Sequence, residues 1–149
     1  MIKRLVLAFL LLAIASGHAA DVKVLKVLPL HLDLEGRHAL SPSLFDRDAY
    51  QAQLKKNPAQ RSALKFEILW KAPKKTGEAE IRVELRGSSP TGTETFTLKE
   101  TAQPTGFFSK WTSVKLEGDT FKKFGELLAW RVTVWQGGQQ VAEQKSFLW

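Results

Sequence analysis

The sequence contains no cysteine. That absence removes a disulfide framework, a thiolate nucleophile and a thiolate metal site together. The only methionine is Met1. Past the first twenty residues, no stretch approaches the roughly twenty apolar residues that a spanning helix needs. Signatures of catalysis are missing too. No serine stands in a Gly-x-Ser-x-Gly elbow. The stretch from Gly87 to Gly92 lacks the Lys-Ser/Thr ending and the following helix that a phosphate loop requires. Neither charge sign forms a long block. The 22 basic side chains stand against 15 acidic ones, for a formal charge of +7.

The first twenty residues have a clear order. Met1-Ile2-Lys3-Arg4 is basic, Leu5 to Ala15 is apolar, and Ser16-Gly17-His18-Ala19-Ala20 is small. This is the three-part pattern of a secretory signal peptide, too short for a mature spanning helix. Cleavage is expected after Ala19 or Ala20. Without a cysteine at that point, no lipid can be attached there. Lys3 and Arg4 leave with the leader, so 20 basic groups remain against 15 acidic ones, or +5. The remaining 21–149 segment is one domain's worth of chain, expected to be soluble in the periplasm or outside the cell. Hydrophobic residues at 44% and charged residues at 25% are the balance of an ordinary folded globule.

From Leu64 onward the chain alternates with period two. In Leu64 to Trp70 the even positions are apolar, and in Glu80 to Arg86 the odd ones are. Such alternation lays one face of a strand on a core and the other in water. Shorter runs recur at Thr95–Lys99 and Ser113–Glu117, and the last pair is Trp130–Trp135 and Gln140–Trp149. Gly137-Gly138 between them supplies the positive φ angles of a tight hairpin. Loop breakers fall at Lys71–Gly77, Gly87–Gly92, Gln103–Gly106 and Gly118-Asp119. An earlier strand, Val22 to Leu34, holds Pro29, which suits an edge or a kink. One helix is expected at 44–57, inserted after that strand, capped by Ser43 or Asp46 and stopped by Pro58. Its expected packing face is Phe45, Ala49 and Ala52, with Tyr50 and Leu54 beside them. About seven strands joined by short turns predict an all-β, antiparallel sandwich.

The ending Trp130-Arg131-Val132-Thr133-Val134-Trp135, its glycine hairpin and its final strand resemble the last hairpin of fibronectin type III and other immunoglobulin-like domains. The resemblance spans residues 62–149 and implies a scaffold and no activity. The chain departs from that pattern in lacking a cysteine pair between sheets and in carrying the helical insert. One register conflict is visible. With Gly137-Gly138 as the loop, Val134 faces Val141, but Val132 then faces Glu143 and Trp130 faces Lys145. A bulge near Ala142–Gln144 is expected to restore the parity and to place Leu148 inward in place of Phe147 and Trp149.

Four sets of residues are candidates for chemistry. His31, Asp33 and His38 form a weak metal or general-base set, against which a solvated turn beside a half-buried strand is the better account. Glu78, Glu80 and Glu84 alternate with Arg82 and Arg86, which reads as a solvated, charge-balanced face. The pairs Lys55-Lys56, Lys74-Lys75 and Lys122-Lys123 are dispersed, so no nucleic-acid partner is expected. The aromatic residues say most. Parity places Trp70 and Trp130 in the core, Phe108 inward with Val114 and Leu116, and Trp111, Trp135 and Phe107 outward. Outward tryptophan with Arg131 beside it is the equipment of a protein interface or of a sugar-stacking platform. The terminal Phe147-Leu148-Trp149 loosely resembles the closing strand of an outer-membrane barrel, yet the strands are too short and one face is charged nearly throughout. The reading is therefore an exported, non-enzymatic module. It binds a protein partner through one aromatic and arginine face made of Trp135, Trp111, Arg131 and Phe107. A glycan bound by the same residues is the alternative, a purely structural exported domain a second and a metal-dependent hydrolase the weakest. No cofactor is expected.

Overall fold

The period-two segments form seven strands: β1 (Lys23–Asp33), β2 (Arg61–Lys71), β3 (Ala79–Ser89), β4 (Gly92–Ala102), β5 (Lys110–Glu117), β6 (Glu126–Gln136) and β7 (Gln139–Lys145). Two helices join them, α1 (Leu44–Lys56) after β1 and α2 (Gly118–Phe124) after β5. These elements come from a computed structural model that describes residues 21–149; the expected leader lies outside the described residues. Among the described residues no helix is long and apolar enough to cross a membrane.

All strand pairs are antiparallel. One sheet has the order β1-β2-β5 and the other β4-β3-β6-β7. The inward positions follow the expected parity. Leu64, Phe66, Ile68 and Trp70 of β2 meet Ile81, Val83 and Leu85 of β3 and Val132 and Val134 of β6 in one core shared by both sheets. Trp70 is fully buried, and its indole Nε1 donates to Thr112 Oγ1 at 2.9 Å, so its one polar atom is satisfied.

Helix α1 lies where expected, with Ser43 Oγ accepting from the Asp46 amide at 3.3 Å. Its packing face differs. Phe45 is 82% exposed, Ala49 and Ala52 are also exposed, and the buried residues are Gln51 and Leu54. The cause is what the helix covers, the free edge of β1. Gln51 Oε1 accepts from the His31 amide at 2.7 Å, and Gln51 Nε2 donates to the His31 and His38 carbonyls at 2.9 and 2.8 Å. One side-chain amide thus replaces a neighbouring strand for His31. Pro29 shares the parity of His31, so its missing N–H falls on this same unpaired edge.

The second helix, α2, stands where Gly118-Asp119 suggested only a turn. It closes the end of the core with fully buried Phe124, whose ring meets Phe96 edge-on at 5.7 Å. Gly125 ends it at φ +78°, and a Cβ there would lie 1.7 Å from the Ser88 carbonyl oxygen. Only glycine lets the chain pass so close.

The hairpin conflict is resolved by a bulge one position earlier than expected. Trp135 pairs with Gln140 and Val134 with Ala142, leaving Val141 as the extra residue. Glu143 then stands opposite Thr133 and Lys145 opposite Arg131, on the solvent face. Leu148 is exposed rather than inward, because β7 ends at Lys145 and Trp149 turns back over the outer face of the four-stranded sheet.

Candidate functional site

The outer face of the four-stranded sheet is built by register. Across β3 and β6, Glu80 lies opposite Trp135, Arg82 opposite Thr133 and Glu84 opposite Arg131. The even residues of β3 and the odd residues of β6 therefore share one face, since their neighbours of opposite parity are in the core. Diagonal contacts knit it together. The Arg82 guanidinium lies over the Trp135 ring, 4.0 Å from its centroid, and is steered there by an ion pair to Glu80. Trp135 Nε1 donates to Thr133 Oγ1 at 2.9 Å. Arg131 Nε donates to Glu84 Oε2 at 2.6 Å, and a second nitrogen lies 3.6 Å from Glu143. At the far end Arg86 stacks on Trp149 at 3.9 Å and Arg131 approaches the same ring at 5.1 Å.

Charge on this face is firmly held. The hydrogen bond to Glu84 raises the Arg131 pKa further, and the bond from Arg82 lowers that of Glu80. Three arginines and two tryptophans thus share one sheet face, Arg82 on Trp135 and both Arg86 and Arg131 against Trp149. The face carries arginines stacked on tryptophan rings and held by the carboxylates of Glu80, Glu84 and Glu143.

Of the sequence-expected residues, Trp135 and Arg131 come together here. Trp111 and Phe107 do not. Trp111 is on β5, opposite Leu69 of β2, and so stands on the outer face of the three-stranded sheet at 48% exposure. Phe107 precedes β5 in a loop at that sheet's end and is 91% exposed. Phe108, expected inward, is 76% exposed, because β5 starts only at Lys110 and the inward alternation does not extend back into the loop. The single face of four residues is therefore two separate aromatic places. Arg82, Arg86 and Trp149 join the first, and sequence reasoning missed them. Arg82 and Arg86 had the right parity, but their tryptophan neighbours become visible only once β3 is known to pair with β6.

His31, Asp33 and His38 do not converge. His31 is 7% exposed and inward-facing, with burial and then the charge of Arg61 lowering its pKa to about 4. Asp33 is spent on local structure. Its Oδ1 accepts from the Glu35 and Arg37 amides at 3.0 and 2.7 Å, and its Oδ2 from Arg37 Nε at 2.8 Å and the Tyr50 hydroxyl at 2.6 Å. Burial opposes ionisation, but these donors prevail and hold its pKa at about 2. His38 sits 3.4 Å from the Lys65 ammonium, and its pKa is lowered by partial burial and then by that charge. Among the described residues no group of three or more His, Asp or Glu side chains is disposed to hold a metal.

Beside this trio, Arg61 makes a two-pronged ion pair with Glu126, at 2.7 and 3.1 Å, and donates to the Lys55 carbonyl at 3.0 Å. The pair joins β2 of one sheet to β6 of the other and caps the end of α1. Its role is structural. The chain matches no protein-family model, and comparison with curated proteins and with solved structures returns no significant match.

Proposed function

We propose that this chain is an exported, immunoglobulin-like interaction module without catalytic activity, and that it binds a protein partner through the outer face of its four-stranded sheet. The strand order supports the immunoglobulin-like reading: the fourth strand extends a sheet of the third, sixth and seventh, while the first, second and fifth make the other. The leader pattern at residues 1–20 supports export.

The observation that carries the binding reading is the row Arg82–Trp135, Arg131–Glu84 and Arg86–Trp149. Tryptophan and arginine dominate the energetics of protein interfaces. Holding them on a sheet before a partner arrives reduces the entropy lost on binding. The guanidinium edges suit carboxylates or carbonyls on that partner. A glycan is the weaker reading. A sugar ring needs an open indole face, and a guanidinium already stacks on Trp135 and on Trp149.

Two measurements separate these readings. Retention of a partner from the exported fraction should fall at least about tenfold in Arg82→Ala and Trp135→Ala, as a hot-spot residue does. Cell-wall polysaccharides should leave the tryptophan emission unchanged. Undiminished retention in both variants refutes the face, and a polysaccharide-induced shift that vanishes in Trp135→Ala moves the assignment to a glycan.

A further inference from the structure

The second aromatic place is built differently from the first, and we infer that it docks this end of the molecule on an anionic lipid surface. Phe107 and Phe108 stand side by side, 91% and 76% exposed, their rings edge-to-face at 5.2 Å. The loop beneath them is pinned. The amides of Thr105 and Gly106 both donate to the Ala72 carbonyl at 3.0 Å, and Thr105 Oγ1 accepts from the Ala72 amide at 2.8 Å. Ala72 is itself fully buried. The two rings are thus displayed at the tip of a rigid support, where a flexible loop would fold them away from water. Trp111, at 48% exposure, is the second residue of the strand that follows.

Lysines stand beside these rings. Lys71, Lys74 and Lys75 line a groove of about 530 Å³ together with Phe107, and the Lys74 methylenes lie beside Gly106. Lys110 is exposed two residues beyond Phe108. The one acid of the groove, Asp21, is already bonded to Lys71 and Lys23, both at 3.1 Å. Among the described residues Lys74 and Lys75 form no ion pair, so their charge is free to act outward, while the Lys110 ammonium lies 5.9 Å from the centre of the buried Trp70 ring.

Two exposed phenylalanines beside a cluster of lysines complement a bilayer better than they do a protein. A folded partner would need a cavity shaped to both rings. A bilayer accepts them at any point of its headgroup layer, and its anionic lipids attract the lysines at the same depth. Lysine stems can lie along the apolar boundary while their ammonium groups stay at the phosphates. The resulting function is retention of an exported module close to a membrane, leaving the four-stranded sheet face open.

The test uses the secreted chain, its N-terminus verified by mass spectrometry, sedimented with phosphatidylcholine vesicles that hold either no phosphatidylglycerol or thirty per cent of it. Binding is expected to the anionic vesicles only, with a blue shift of tryptophan emission and release at high salt. The double variant Phe107→Ser/Phe108→Ser should lose about tenfold or more in affinity. Lys74→Gln/Lys75→Gln should lose about 25-fold, roughly fivefold per lysine. Both pairs are exposed, so unchanged melting temperatures will show that the fold is intact. Lys122→Gln, on α2 at the opposite end of β5, should bind vesicles like the wild type. The inference is overturned if anionic vesicles do not bind, if neutral vesicles bind equally well, or if the phenylalanine variant binds undiminished. It is equally overturned if Phe107 and Phe108 prove necessary for a soluble protein partner while vesicles are ignored.

Discussion

His31 faces inward from the edge strand β1, close to the Arg61–Glu126 ion pair, and its Nδ1 is buried without a hydrogen-bond partner. Burial first, and then the positive charges of Arg61 and Lys55, disfavour its imidazolium, while Glu126 partly offsets them. The pKa falls from an ordinary 6.5 to about 4. The unfolded chain therefore takes up a proton at a pH where the folded one refuses it. Full stability holds above pH 6.5, declines as pH falls, and has lost this group's whole contribution near pH 4. Between pH 7 and pH 5 the loss amounts to about 2 kcal/mol. Asp33, Glu67, Glu80 and Glu126 do not interfere, because their pKa values are lowered and their stabilisation is lost only further into acid. His38 shifts in the same direction as His31 and serves as the comparison. Urea unfolding followed by tryptophan emission at pH 7 and pH 5 reads the difference as a midpoint shift of about 1 M. His31→Leu should flatten that dependence, and His38→Gln should leave most of it in place. A His31→Leu protein that still loses as much stability from pH 7 to pH 5 as the wild type would refute the reasoning.

Two further predictions concern the fold that carries the candidate faces. Gln51→Leu strips the His31 amide and carbonyl of the Gln51 side-chain amide that pairs with both and should cost about 3 kcal/mol in urea unfolding, with increased hydrogen exchange at the His31 amide. Gly125→Ala meets both a positive φ and the Ser88 carbonyl, so it should destabilise by more than about 2 kcal/mol; Gly137→Ala, with open space around it, should cost only about 1 kcal/mol.

Side-chain alternation told from the chain alone which face of β2 and β3 enters the core. Leu64, Phe66, Ile68 and Trp70, and likewise Ile81, Val83 and Leu85, are buried where period two puts them. The place of α1 was also legible, because capping and the proline stop are local, and of the two caps expected, Ser43 and Asp46, the structure uses Ser43. Tertiary structure decided what those faces meet. Trp111 and Trp135 both point outward as their parity demands, yet β5 and β6 belong to different sheets, so the one expected aromatic face became two separate places. The packing side of α1 was hidden because it binds a strand edge through the Gln51 amide, where an apolar stripe gives no guidance. The bulge at Val141 was foreseen in kind but misplaced by a residue, since its position depends on how β7 settles against β6. Parity is a property of neighbours along the chain, whereas pairing joins residues such as Glu84 and Arg131, 47 positions apart. No short-range pattern can encode which strand edges will meet across that distance.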